Sequence, residues 1–346
     1  MVPNMETRRT AYPLLLGVLL IAGLSTPVRG ETPADARVIC VYDPAGKAGD
    51  YYAMLEDFAV TASTWGVPVS VRAYTDEQTA TKDYDAGQCD GVVATGVRLQ
   101  GYNNFPSTIE AMGAIPTYDI LKQMILSLNR YESAARRLRR GEHETAGIIP
   151  IGAVYLFVRD RRIDTVPELA GIRIATMTYD RASPLMVDRV GAIAVPADLS
   201  TIGPKFNNGD VDACYVSAPA YEPFELRRGM GTKGGVIQYP LAQATLQLLI
   251  RHARFPEGFA AKARVDIAAR FDHALEIVKR AEAAIPASAW IPVSSSDIPG
   301  FEELFLSVRL KLRDEVGAYD PTMLSALRKL RCANDPTRSE CAEKKE

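Results

Sequence analysis

Three histidines, His143, His252 and His273, are all that 346 residues contain. None stands at metal-ligand spacing from a cysteine, a carboxylate or another histidine, so no metal centre is expected. There is no G-x-S-x-G and no histidine placed to serve a serine or cysteine as base, so no activated nucleophile is expected and the chain is not read as an enzyme. No C-x-x-C occurs, which removes the commonest redox and zinc motifs. Charge of one sign is also missing: 40 Lys and Arg against 42 Asp and Glu leave a formal charge of -2, which gives no reason to expect nucleic acid. Two glycine motifs are decoys. Gly46-Lys47 ends like a phosphate loop but lacks the upstream glycine and the following Ser or Thr. Gly229 to Gly234 matches G-x-G-x-x-G but follows a helix-like segment rather than a strand, which makes it a turn. No cofactor is expected.

Long apolar runs are scarce too. The longest, Pro13 to Leu24, falls short of the roughly 20 residues needed to span a bilayer. Arg8 and Arg9 precede it and a small residue, Gly30, ends the polar stretch after it. That order predicts a secretory signal over residues 1–30, cleaved after Gly30. Five cysteines suit an oxidising compartment. Cys332 and Cys341 flank a turn and are expected to pair. Cys40 and Cys89 lie in or beside strands, and pair if those strands are neighbours. Cys214 is left as a buried thiol.

What remains reads as α/β. Strands are predicted at 37–42, 67–73 and 90–95, with helices at 51–65 and 77–86 between them. Such alternation implies a parallel sheet, with ligands beyond the carboxyl ends of its strands. Residues 121–141 read as one long helix ending in Arg136, Arg137, Arg139 and Arg140, a solvated cationic end. A second α/β unit begins with a strand at 152–159. Further strands at 235–239 and 241–250 return toward the first unit, and helices are predicted at 267–284, 301–316 and 321–330. The expected architecture is two lobes with parallel-type sheets, a cleft between them and several C-terminal helices. Residues 31–148 and 233–346 form lobe I, and residues 149–232 form lobe II.

The polar residues at predicted strand ends are candidate binding groups. Asp43, Tyr74 and Asp76 (with Glu77 beside it) suit an amine or hydroxyl, or else turn and helix-cap roles. Arg98 follows the third strand, and Asn104 lies in the loop after it. Tyr215, Ser217 and Tyr221 follow Asp212 on the second unit. Arg173 is the most informative charge. It stands in the apolar run Ile172-Arg173-Ile174-Ala175, where a guanidinium needs an anionic partner, either a protein carboxylate or that of a ligand.

The run Val166 to Ile174, with Val190-Gly191-Ala192 and Asn208-Gly209-Asp210-Val211-Asp212-Ala213, resembles the periplasmic substrate-binding subunits of TRAP transporters. The N-terminal stretches Cys40 to Asp50, Tyr74 to Glu77, Gly87 to Asp90 and Thr95 to Arg98 are more similar to the divergent AdeT-like solute-binding proteins of that type. The resemblance implies a periplasmic protein that closes two lobes on a small organic anion and hands it to TRAP-type or efflux-type membrane subunits. It implies that Arg173 clamps the ligand carboxylate. That family often has Asn four residues beyond its second aspartate, whereas this chain has Val216. The alternative expectation is an envelope adaptor or sensor using the same fold without transport.

Overall fold

The computed structural model describes Met1 and residues 36–346, so the predicted signal at 1–30 lies outside the described residues apart from Met1. Residues 36–346 lie in one compact unit. Its first wing alternates as the pattern predicts: β1 (Arg37–Tyr42), α1 (Asp50–Thr64), β2 (Val69–Tyr74), α2 (Glu77–Asp85) and β3 (Gly91–Thr95). Both β2 and β3 pair in parallel with β1. Side chains alternate across this sheet. Ile39 and Val41 pack with Met54, Leu55 and Phe58 of α1 on one face. Cys40 packs with Ala80 and Tyr84 of α2 on the other.

Two short helices, α3 (Gly96–Leu99) and α4 (Asn104–Ser107), follow. The predicted long helix is broken. It becomes α5 (Tyr118–Arg130) and α6 (Glu132–Arg137), because Tyr131 between them is extended, with φ -101° and ψ 118°. Arg139 and Arg140 form a short strand, β4, against the next hairpin arm rather than a helix end. The arm is β5 (His143–Val158), a 16-residue strand whose first half the sequence pattern missed.

The second wing is β6 (Arg173–Met177), α7 (Ser183–Arg189), β7 (Ile193–Ala197), α8 (Ile202–Asn208) and β8 (Ala213–Ser217), with β6 parallel to both β7 and β8. Then come α9 (Leu226–Met230), β9 (Gly235–Ile237), β10 (Ala242–Arg251), α10 (Phe259–Ala269), α11 (Phe271–Ala284), β11 (Trp290–Ile291), α12 (Ile298–Asp314), α13 (Pro321–Asn334) and α14 (Ser339–Glu343).

The wings belong to one mixed sheet of order β2-β1-β3-β10-β5-β8-β6-β7. The parallel sets lie at its two ends. Antiparallel β10 and β5 join them, β10 pairing with β3 and β5, and β5 with β8. The boundary drawn at 148/149 from sequence therefore falls inside a strand. The C-terminal helices do not serve one wing alone, since α12 packs on α7 while α13 packs on α5. Cys40 pairs with Cys89 and Cys332 with Cys341, at Cα separations of 5.9 and 5.5 Å. Cys214 is a buried free thiol. No helix among the described residues is long and apolar enough to cross a membrane.

Candidate functional site

A cavity of about 490 Å³ opens beyond the carboxyl ends of β1, β3, β6 and β8, where the two wings face each other. Its volume lies within the usual ~300–1,000 Å³ of small-molecule sites. Strand ends supply its polar walls: Asp43 after β1, Thr95 ending β3, Tyr179 and Asp180 after β6, and Ser217 ending β8. Apolar wall comes from Met112, Val154, Val216, Leu241 and Leu246.

Three carboxylates in this wall are held by the backbone of the loops around it. Asp43 accepts from the N–H of Ala45 at 2.9 Å and from Tyr51 and Tyr52, at the start of α1, at 3.1 Å each. Glu110 accepts from the N–H groups of Gly96 and Val97 at the start of α3, and from the N–H and hydroxyl of Thr245 on β10. Asp180 accepts from the N–H groups of Ala182 and Ser183 at the start of α7, and from the Ser183 hydroxyl. Two glycines permit the close approach. A Cβ on Gly49 would lie 2.0 Å from the Asp43 carboxyl, and one on Gly96 would lie 2.6 Å from Glu110 Oε1. Burial raises all three carboxyl pKa values above the usual range, that of Glu110 to about 7, against hydrogen bonds that favour the charged form.

Not every polar atom of the wall is satisfied. The Tyr51 hydroxyl and the Gln243 side-chain oxygen are buried without a hydrogen-bond partner. Tyr51 is 6% and Gln243 1% exposed. Gln243 sits beside a register irregularity between Ala244 and Thr245, the kind of local break that re-aims strand side chains. Buried polar groups normally find partners, so two unpaired ones in residues of one cavity wall are exceptions to that rule.

The predicted site residues divide. Asp43, Tyr215 and Ser217 line the cavity, Tyr215 with its hydroxyl fixed by the Met177 N–H at 3.0 Å. Arg173 does not, which corrects the clamp expectation. It opens β6 at the end opposite the cavity, about 13 Å from Met177 at ~3.3 Å per residue. Its guanidinium donates to both carboxylate oxygens of Asp212, at 3.0 and 2.8 Å, and to the Gly209 carbonyl at 3.0 Å. The partner is thus a protein carboxylate, and Arg173 holds Asp212's carboxyl below its ordinary pKa range. Asp76 caps α2 through the N–H groups of Gln78 and Thr79. The Tyr74 hydroxyl donates to Asp83, and the Asn104 amide reaches the Gly317 carbonyl at 3.5 Å. Tyr221 stacks on Phe157. None of these four is a cavity wall.

Arg98 also lies behind the wall, in a latch between the wings. Its Nε contacts Glu77 Oε1 at 3.3 Å, and its guanidinium lies 3.4 Å over the ring of Tyr179. The Tyr179 hydroxyl donates to the same carboxylate. Glu77 is fully buried and also accepts from the N–H and hydroxyl of Thr95. A loop after β6 is thereby fastened to α2 and β3 of the other wing.

Tyr51, Glu110, Tyr179, Asp180 and Gln243 escaped sequence reasoning. The strand-end rule could have found Tyr179 and Asp180, which follow β6 after Thr178. Gln243 carries no local signal, because β10 reaches the cavity only through long-range pairing, and Glu110 none because its partners are Gly96, Val97 and the distant Thr245.

The chain matches the family described as solute-binding protein AdeT 1/2 over residues 58–346. It is 36% identical over 307 residues to a probable solute-binding protein, AdeT1, of Acinetobacter baumannii, covering 87% of this chain and 99% of the relative. It is 26% identical over 232 residues to AdeT2 of the same organism, covering 66% and 96%. Among solved structures it is similar to a TRAP periplasmic solute-binding protein of Rhodoferax ferrireducens with bound malonate, at a TM-score of 0.69 and 15% identity, covering 87% of this chain and all of that one. It is likewise similar to one of Chromohalobacter salexigens with bound D-glucuronate, at 0.68 and 16%, covering 85% and 99%. These neighbours share the two-lobed fold, and the family match spans most of the sequence. The chain belongs to the AdeT 1/2 family of solute-binding proteins.

Proposed function

We propose that this protein works in the periplasm, after removal of the signal at 1–30, by capturing a small carboxylate-bearing solute in the cavity between its wings. It then presents that solute to membrane transporter subunits of TRAP or efflux type. The observation that carries the reading is a cavity of about 490 Å³ with the Tyr51 hydroxyl and Gln243 oxygen unpaired in its wall. The carboxylates named in the two solved neighbours support an organic anion as the solute class. Asp43, Tyr215 and Ser217 are carried forward as contacts, joined by Tyr51 and Gln243. Lobe I is taken as 31–148 with 233–346 and lobe II as 149–232, the division crossing β5, with β5 and β10 as the connection that flexes and α12 reaching across to pack on α7. The Glu77–Tyr179–Arg98 latch favours the closed form, so solute and latch act in the same direction. No catalytic role is assigned.

The test is thermal unfolding with a panel of small carboxylates. A solute at 100 times its Kd stabilises the folded state by about 2.7 kcal/mol. A flat response across mono-, di- and hydroxy-carboxylates, sugar acids and amino acids would sink the capture reading.

A further inference from the structure

The charge of the cavity wall is the reverse of what a simple anion needs. Its ionisable acids are Asp43, Asp50, Glu110 and Asp180, and its one guanidinium is that of Arg280. Arg280 is exposed and already donates to Asp50 at 2.9 Å. The backbone N–H groups at the starts of α1, α3 and α7, which a ligand carboxylate could use, are occupied by Asp43, Glu110 and Asp180. Arg173 is engaged elsewhere with Asp212, and Arg98 is paired with Glu77 behind the wall, its guanidinium covering one face of the Tyr179 ring. Five tyrosines, Tyr42, Tyr51, Tyr179, Tyr215 and Tyr319, complete the wall. Aromatic faces and carboxylates together are the surroundings that hold an organic cation. The Gln243 oxygen, an acceptor, and the Tyr51 hydroxyl, which can accept as well as donate, are buried without a partner in residues of the same wall.

We propose that the solute is a zwitterion, whose cationic nitrogen sits among the tyrosines and carboxylates while its carboxylate lies toward Arg280 at the mouth. This rests on the capture reading and narrows its solute class. A second carboxylate in the cationic group's place would face Asp43, Glu110 and Asp180 with no free guanidinium to offset them. An ammonium or quaternary nitrogen there meets opposite charge.

The test is isothermal titration of the full mature chain with matched pairs: glycine betaine against malonate, and 4-aminobutyrate against succinate. Alongside it, solute released from freshly purified protein is separated on a cation exchanger at acid pH. The expected result is at least tenfold tighter binding of the zwitterion in a pair, or release of a solute carrying a basic or quaternary nitrogen. Tyr51→Phe, which removes a hydroxyl without a partner in the fold, should weaken that binding severalfold and leave the melting temperature unchanged. Tighter binding of the dicarboxylates, or release of a purely anionic solute, overturns the zwitterion while leaving capture intact. No bound solute from any source overturns both.

Discussion

Replacing Glu340 by glutamine removes one carboxylate from the most buried ionic cluster among the described residues. Glu340, on α14, receives Arg331 through Nε at 2.7 Å and Nη2 at 3.0 Å, Arg309 at 2.8 Å and Arg338 at 3.1 Å. Arg331 and Arg309 are 0% and 2% exposed, and Glu346 is their other carboxylate partner. Burial alone would raise the Glu340 pKa, but the hydrogen bonds and charge of these arginines outweigh it and hold the group at about 2, against 4.5 unperturbed. A depression of that size corresponds to about 3 kcal/mol of stability. Loss of one partner of a buried pair costs ~3–5 kcal/mol by comparison. The folded pKa is depressed, so this contribution is complete above the unfolded pKa of 4.5 and is lost as pH falls toward 2. Urea unfolding at pH 7 should therefore show a midpoint about 1 M or more lower for Glu340→Gln, given slopes of ~1–3 kcal/mol/M. The gap should close as pH falls from 5 toward 2. Equal midpoints at pH 7, or a gap that persists at pH 2, would refute the electrostatic argument.

Arg173→Ala should leave solute affinity unchanged in titration, since its guanidinium serves Asp212 and Gly209; a large loss would restore it as a ligand clamp. Gly49→Ala should drive Asp43 off the Tyr51 and Tyr52 N–H groups and destabilise by ~1–3 kcal/mol per orphaned group, read as a lower melting temperature. Tyr179→Phe removes the hydroxyl that joins the wings at Glu77. The radius of gyration in X-ray scattering should rise and affinity fall; an unchanged radius and affinity would show that the latch does not bias closure.

The first wing was legible from sequence because its signals are local. Met54, Leu55, Phe58 and Ala62 fall on one helix face, and β1, β2 and β3 lie where their apolar runs predict. The pairing of Cys40 with Cys89 follows once β1 and β3 are neighbours. Less legible were features decided by distant partners. The first half of β5 contains His143, Glu144 and Gly147, poor strand signals that pairing with β10 overrides. Arg173 shows the limit most plainly. A guanidinium in an apolar run requires an anion, and the sequence does not say which end of the strand the anion occupies. Asp212 was in view as a neighbouring motif, but its hydrogen bonds to Arg173 depend on the β6–β8 pairing. The cavity's carboxylates were similarly hidden: Asp43 was identified as a ligand group, yet its oxygens bind the backbone that follows it.

The central claim is that the cavity holds one small solute. Native mass spectrometry of freshly purified protein tests it directly. The account predicts a chain carrying a single small molecule that gentle activation releases, with reduced occupancy in a Gln243→Leu variant that still folds. Only bare chain under the gentlest conditions, together with no thermal response to any solute class, would contradict it.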